Sequence, residues 1–187
     1  MKKFELTNEF VTNMFGTKLF RIRALVEFGD VEAGELGGYV EKESNLGHDD
    51  NAWVYDNAWV YDNARVYGDA WVYGNALVCD NAWVYGDARV YDNARVYDNA
   101  RVYGDAQVSG DARVCGNGDY AYAHGFGSVN RTTTFFRLKD GGVGVRCGCF
   151  YGTLAQFRDK IRETHGETKK AQEYLMLADL MKLRFEK

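Results

Sequence analysis

Four arginines, Arg89, Arg95, Arg101 and Arg113, recur through the second half of the chain's middle section, and Tyr91, Tyr97 and Tyr103 follow the first three at a distance of two residues. A guanidinium is a planar fork that meets two phosphate oxygens at once, and a phenol ring is a flat surface on which a base can stack. The set therefore suits a nucleotide-like anion. It also reads as a solvated surface in which Arg lies over Tyr as a cation–π pair. Upstream, all four tryptophans, Trp53, Trp59, Trp71 and Trp83, take the same kind of position as the arginines. An exposed aromatic surface of that size marks an interface.

Carboxylates, thiols and imidazoles offer other chemistry. Asp62, Asp80 and Asp98 recur every eighteen residues, as do Asp69, Asp87 and Asp105. Stacked at ~4.8 Å, like charges repel by about 1 kcal/mol per pair even in a water-like dielectric. Either backbone N–H groups and solvent take this up, or a cation such as Ca²⁺ lies along the column. The histidines are His48, His124 and His165, none of them in an ordinary repeat position, and His124 is the one candidate for a general base. Cys147 and Cys149 could share a face and hold zinc with His165 or His124, but two spaced thiols fall short of a zinc motif. A hairpin with buried thiols accounts for them too. Cys79 and Cys115 are thirty-six residues apart, about 9.6 Å along a stacked repeat and beyond disulfide reach, so reduced thiols are expected. Neither a metal nor a cofactor is expected.

These side chains ride on a repeat. Over residues 52–114 one hexad is written eleven times: Ala, any residue, Val, usually Tyr, then two turn-formers. Ala and Val are two apart, so an extended chain sends them to one face and the intervening residue and the Tyr to the other. The closing pairs, Asp-Asn, Gly-Asp or Gly-Asn, tolerate positive φ and make corners. Gly-Asp recurs at 68–69, 86–87 and 104–105, and Asp-Asn at 62–63, 80–81 and 98–99, so three hexads make one turn of eighteen residues. A three-sided parallel β-helix follows, an all-β solenoid whose interior is a column of Val and Ala.

At this point the chain resembles the hexapeptide-repeat family, the left-handed parallel β-helix found in acyltransferases and γ-class carbonic anhydrases. That resemblance implies the left hand and packing as a homotrimer, with Trp53, Trp59, Trp71 and Trp83 as the contact. The stretch RIRALVEFGDVEAGELGGYVEKESNL, followed by NAWVYDNA, is also similar to the start of a family of hexapeptide-repeat proteins common in bacteriophages and prophages, some labelled acyltransferase or polymer-forming. The resemblance covers roughly the first two-thirds of the chain. It implies a phage-encoded protein acting in the host cytoplasm. The acyltransferases use a His base and a long loop over the acyl donor. Here only His124 is available and no long loop interrupts residues 52–117. The carbonic anhydrase pattern needs several His on adjacent coils, and the repeats hold none.

Residues 1–50 read as an N-terminal cap with an irregular first coil, residues 51–125 as the β-helix and residues 126–187 as a small ββαα domain. In the cap, 4–6 and 19–25 look like strands. Gly38 and Val40 already stand in the Ala/Val relation, Leu46 follows by six, and a two-residue insertion precedes Ala52. In the last unit, 132–138 and 143–150 read as a hairpin. Thr153 with Gln156 forms a capping box for a helix stopping at Gly166, and a second helix starts near Thr168. Residues 131–187 hold twelve Lys and Arg against seven Asp and Glu, whereas residues 1–130 carry a balance of −9. The two parts should attract each other, or the basic end should dock an anion or partner. An acidic solenoid disfavours extended nucleic acid. No signal peptide and no membrane-length apolar run stands out, which points to the cytoplasm.

The expectation is a non-enzymatic, trimeric binding protein that counters host defence by sequestering a nucleotide-like signal or a host protein. A hexapeptide acyltransferase working on an acyl-CoA donor and a structural spacer are the alternatives.

Overall fold

The computed structural model describes residues 2–127 and 129–186. Its centre is a β-solenoid of about four turns. Eleven two-residue strands run from Trp53–Val54 to Arg113–Val114, each on one side of a three-sided coil. Strands pair in parallel with the strand eighteen residues on, as in Trp53↔Trp71 and Val54↔Val72. Every Ala and Val of the eleven hexads is at most 1 % exposed. The invariant columns are the interior, and burying each Val is worth about 1.5–3 kcal/mol.

Corners sit at the fifth position of the hexad. There φ is positive at Asp56, Asp62, Asp80, Asp92 and Asp98 and at Gly68, Gly74, Gly86, Gly104 and Gly110. Asp tolerates this region better than most residues, and Gly tolerates it freely. Asp also supplies a bond that Gly lacks: its Oδ2 accepts the backbone N–H one coil on. Gly74 donates to Asp56 (3.0 Å), Asp98 to Asp80 (3.2 Å) and Gly110 to Asp92 (3.1 Å). The Asp62–Asp80–Asp98 column is thus interleaved with N–H donors, which offset the repulsion between its carboxylates.

Three strands precede the solenoid: β1 (Phe4–Thr12), β2 (Lys18–Ala24) and β3 (Leu36–Val40). β1 and β2 form an antiparallel hairpin in which β1 is far longer than the expected 4–6 while β2 nearly matches the expected 19–25, and β3 joins the solenoid in parallel. Tyr39 pairs with Trp59, Val40 with Val60 and Leu46 with Val66, an offset of twenty rather than eighteen, so the extra two residues lie within the first coil. Gly38 stands where later coils carry Ala because a Cβ would lie 2.7 Å from the Ala58 carbonyl oxygen. Phe4, Ile22, Val31 and a wholly buried Trp53 close this end of the prism. The Lys3 ammonium seals its edge, donating to the Asp50 and Ala52 carbonyls (2.6 and 2.8 Å).

At the other end stands a four-stranded antiparallel sheet, β4 (Tyr120–Phe126), β5 (Arg131–Arg137), β6 (Val143–Cys147) and β7 (Phe150–Thr153), followed by α1 (Leu154–His165) and α2 (Lys169–Phe185). The sheet begins at Tyr120, ahead of the expected boundary at 126, and has four strands instead of two. The segment 143–150 is not one strand: Gly148, at φ +58°, turns it so that Cys147 pairs with Phe150. The Thr153–Gln156 capping box opens α1, Gly166 ends it, and Thr168 caps α2. β5 is buried on both sides. Phe136 enters the end of the prism, while its neighbour Phe135 packs with Phe157, Ile161 and Ala178 of the helices. Open backbone donors of the last coil are taken up here: Gln107 N–H reaches Thr134 Oγ1 (2.9 Å) and Arg101 N–H reaches Asn117 Oδ1 (2.9 Å). Both ends of the solenoid are therefore covered, which removes edges that would otherwise template aggregation.

Candidate functional site

The eighteen-residue register sorts the outward side chains onto three faces. Trp59, Leu77, Arg95 and Arg113 line up on the first, Trp53, Trp71, Arg89 and Gln107 on the second, and Arg65, Trp83 and Arg101 on the third. The four candidate arginines are consequently not one cluster. Only Arg95 and Arg113 are neighbours, one coil apart. The tryptophans do not form one patch either. Trp53 is closed over by Phe4 and Phe28, and the other three point to three different sides, so the expected Trp-built trimer contact is not a single surface.

The Arg–Tyr pairing expected along the chain is also replaced by contacts between coils. Arg89 lies over Trp71 and Arg101 over Trp83, each 4.8 Å from the ring centre. The tyrosines stack on one another: Tyr67 on Tyr85 at 5.0 Å, Tyr85 on Tyr103 at 5.3 Å and Tyr73 on Tyr91 at 4.7 Å. Tyr91 is buried, with the Arg146 guanidinium 5.5 Å from its ring centre. One ring face each of Tyr91 and Tyr103, both candidates for a base, is thus taken by a stacked neighbour one coil away, although Tyr103 stays 42 % exposed.

The first face differs, because the β1–β2 hairpin folds over it. Leu19, with Val11 beside it, packs on Tyr39, Tyr61 and Cys79 of the outward column. Beyond this contact the hairpin tip leaves a groove of about 530 Å³. Met14 and Phe15 form its wall, Trp59, Leu77 and Tyr97 its apolar floor, and Arg95 and Arg113 its charged end. The tip is shaped by Asn13, whose Oδ1 accepts the N–H groups of Phe15 and Thr17 (both 2.9 Å), and by Gly16 at φ +85°. That loop holds Met14 and Phe15 outward, 89 % and 80 % exposed.

Two guanidinium groups meet at the charged end. Neither Arg95 nor Arg113 has an ion-pair partner among the described residues. Arg113 Nη1 donates to the carbonyls of Ala112 (2.7 Å) and Asn93 (3.1 Å), which fixes its fork. Burial, and then the neighbouring Arg95 charge, push the Arg113 guanidinium down from its usual value. The Asp111 charge offsets part of this repulsion, and two like charges held together are relieved further when an anion bridges them. The Cys79 thiol in the floor is pushed up to about 12 by burial and is therefore protonated, not nucleophilic, near neutrality.

Other candidates lie apart from this groove. His124, on β4, is exposed, its Nδ1 2.8 Å from Thr132 Oγ1 and 3.6 Å from the Asp105 carboxylate. Cys147, Cys149 and His165 line a separate cleft of about 260 Å³ with Arg131 and Lys160. No cluster of three or more His, Cys, Asp or Glu with metal-binding geometry occurs among the described residues. All four cysteines are free thiols. No helix among the described residues is long and apolar enough to cross a membrane. The groove residues that the sequence alone did not single out are Tyr61 and Leu77 on the floor and, at the hairpin tip, Asn13, Met14 and Phe15. The signal of the tip was a polar-flanked Met-Phe pair inside a turn sequence, Asn-Met-Phe-Gly, where apolar side chains have no interior to enter.

A family model described as the YdcK beta solenoid repeat matches residues 58–74, 70–86, 88–104 and 94–110. No curated protein sequence matches the chain. The similarity thus falls within the solenoid and covers less than half of the chain, leaving the hairpin, the C-terminal sheet and both helices outside it.

Proposed function

We propose that this is a non-enzymatic binding protein whose first-face groove takes a small nucleotide-like anion. The observation that carries the reading is the pair Arg95 and Arg113, stacked in register with no ion-pair partner among the described residues, at one end of a mostly apolar groove that Asp80 also lines. A phosphate bridges the two forks, and a base or similar flat apolar group lies on Trp59, Leu77 and Tyr97 under Phe15. Sites of this size, mostly apolar with a few converging polar groups, are the usual form of small-ligand pockets. Sequestering such a signal against a host defence is the role that the phage resemblance implies. The exposed Met14 and Phe15 favour a second reading, in which the hairpin tip grips a host protein.

Calorimetric titration with mononucleotides, cyclic dinucleotides, inorganic pyrophosphate and an unphosphorylated nucleoside tests the first reading. Saturable binding of a phosphorylated compound, no binding of the nucleoside, and a loss of about tenfold or more in Arg95→Ala and in Arg113→Ala are expected, since a charge-assisted hydrogen bond is worth about 1.5–3 kcal/mol. Absence of binding by every compound, or affinity unchanged in both variants, overturns it.

A further inference from the structure

The last helix is apolar on two opposite sides. Ala171, Tyr174, Leu177, Ala178, Met181 and Phe185 are buried against the sheet and α1. On the other side Met176, Leu180 and Leu183 are 71 %, 56 % and 69 % exposed and join no core cluster. Their spacing of four and then three residues draws a straight seam along the helix, the spacing of a and d positions in a coiled coil. A Leu at two-thirds exposure is ordinary when single, but three in one seam form a surface that water does not favour.

The charges beside the seam identify its occupant. Lys170 and Arg184 lie along one flank and Asp179 and Glu186 along the other, while Lys169 and Glu173, on the seam's line toward the helix N-terminus, pair with each other at 3.9 Å. If the seam met a second copy of itself in antiparallel fashion, basic flank would face basic flank and acidic would face acidic. In parallel, the acidic flank of each helix meets the basic flank of the other, and Asp179 faces Arg184 of the second copy. Both groups keep capacity for this contact. Asp179 Oδ1 is held by Arg158 at 2.5 Å, leaving Oδ2, and Arg184 gives one N–H to the Asn117 carbonyl at 3.3 Å.

We propose that α2 pairs in parallel with α2 of a second copy of this chain through Met176, Leu180 and Leu183. The seam spans about two turns and is smaller than the ~800 Å² per partner of a standard interface, so the association is reversible and dilution separates it. The seam shares no residue with the first-face groove.

Sedimentation velocity of the full chain over a wide concentration range tests this. The mass should rise from monomer to dimer with concentration. Leu180→Glu should abolish the rise while the thermal midpoint of the dilute protein stays put, because the side chain is exposed. Arg184→Glu should weaken association and Asp179→Arg combined with Arg184→Glu should restore it. In a background with Cys115→Ser and Cys149→Ser, Leu180→Cys and Leu183→Cys should each form a disulfide-linked dimer on mild oxidation, as parallel pairing brings like positions together. A monomer at every concentration, or an assembly that persists in Leu180→Glu, overturns the proposal. Cross-linking at 180 without cross-linking at 183 overturns the parallel orientation.

Discussion

Asp92 carries two separable duties, and three substitutions pull them apart. Its backbone sits at φ +58° at a corner, and its Oδ2 accepts the Gly110 N–H at 3.1 Å. Asn keeps both the tolerance for this conformation and the acceptor, so Asp92→Asn should lie within about 0.5 kcal/mol of the native protein. Asp92→Gly keeps the conformation and loses the acceptor. The bond is exposed, so its loss costs about 0.5–1 kcal/mol, and the added freedom of the unfolded chain costs about as much again. Asp92→Ala loses the acceptor and also the short polar side chain whose local hydrogen bonding lets Asp and Asn tolerate the left-handed region, up to about 1–2 kcal/mol more. The total for Ala is therefore about 2 kcal/mol or somewhat above, and the order of stability is Asn, then Gly, then Ala. Urea denaturation monitored by the far-ultraviolet signal measures all three. If Ala proves as stable as Asn, neither the φ of the corner nor the inter-coil bond contributes, and the account of why Asp and Gly share this position fails.

Two further outcomes follow from the caps. Burial pushes the Lys3 ammonium down to about 8 despite the pull of Asp50 and Asp49. Between pH 8 and 10.5 the unfolded chain holds this proton while the folded one has released it, so stability rises with pH across that window, by about 3 kcal/mol as an upper bound. Lys3→Met should lack the rise, and denaturation curves for the two proteins that run parallel from pH 8 to 10.5 refute the assignment. At the other end, Phe136→Ala and Phe135→Ala should each cost about 3–5 kcal/mol but in different places. Hydrogen exchange should quicken in the last coil for Phe136→Ala and in α1 and α2 for Phe135→Ala, and identical patterns would deny that β5 divides two cores.

Much of the architecture was legible because the solenoid repeats its own instructions. Ala and Val columns identify interior residues one by one, the corner pairs mark the turns, and their eighteen-residue recurrence counts the sides. The insertion before Ala52 was readable as a break in that rhythm, and it reappears as the twenty-residue offset of Val40 against Val60. Local helix signals were equally direct, since Thr153, Gln156, Gly166 and Thr168 act within one turn of themselves. What escaped was set by short-range geometry without a periodic mark. The turn at Gly148 divides an apolar run that reads as continuous, and β1 runs on through Asn8 and Glu9, whose polarity looks like a loop.

The candidate site was half legible, and the division has a physical cause. In a coil of eighteen residues, lateral neighbours are eighteen apart, so Arg95 and Arg113 belong together while Arg89 and Arg101 are carried to other faces. That sorting is arithmetic on the sequence. The groove is not, because it depends on the β1–β2 hairpin bending back over the first face, a contact between residues 11–19 and 39–97 that no repeat announces. A regular solenoid side is flat: each coil repeats the one before, so no place on it is more concave than another. Concavity needs something that breaks the translation, and on the first face the hairpin does so. The same kind of guanidinium that rests over Trp71 on the second face, beside the Asp87 carboxylate in small polar clefts, stands on the first at the end of a larger, mostly apolar groove. Its chemistry is unchanged; the wall beside it turns an exposed charge into a site.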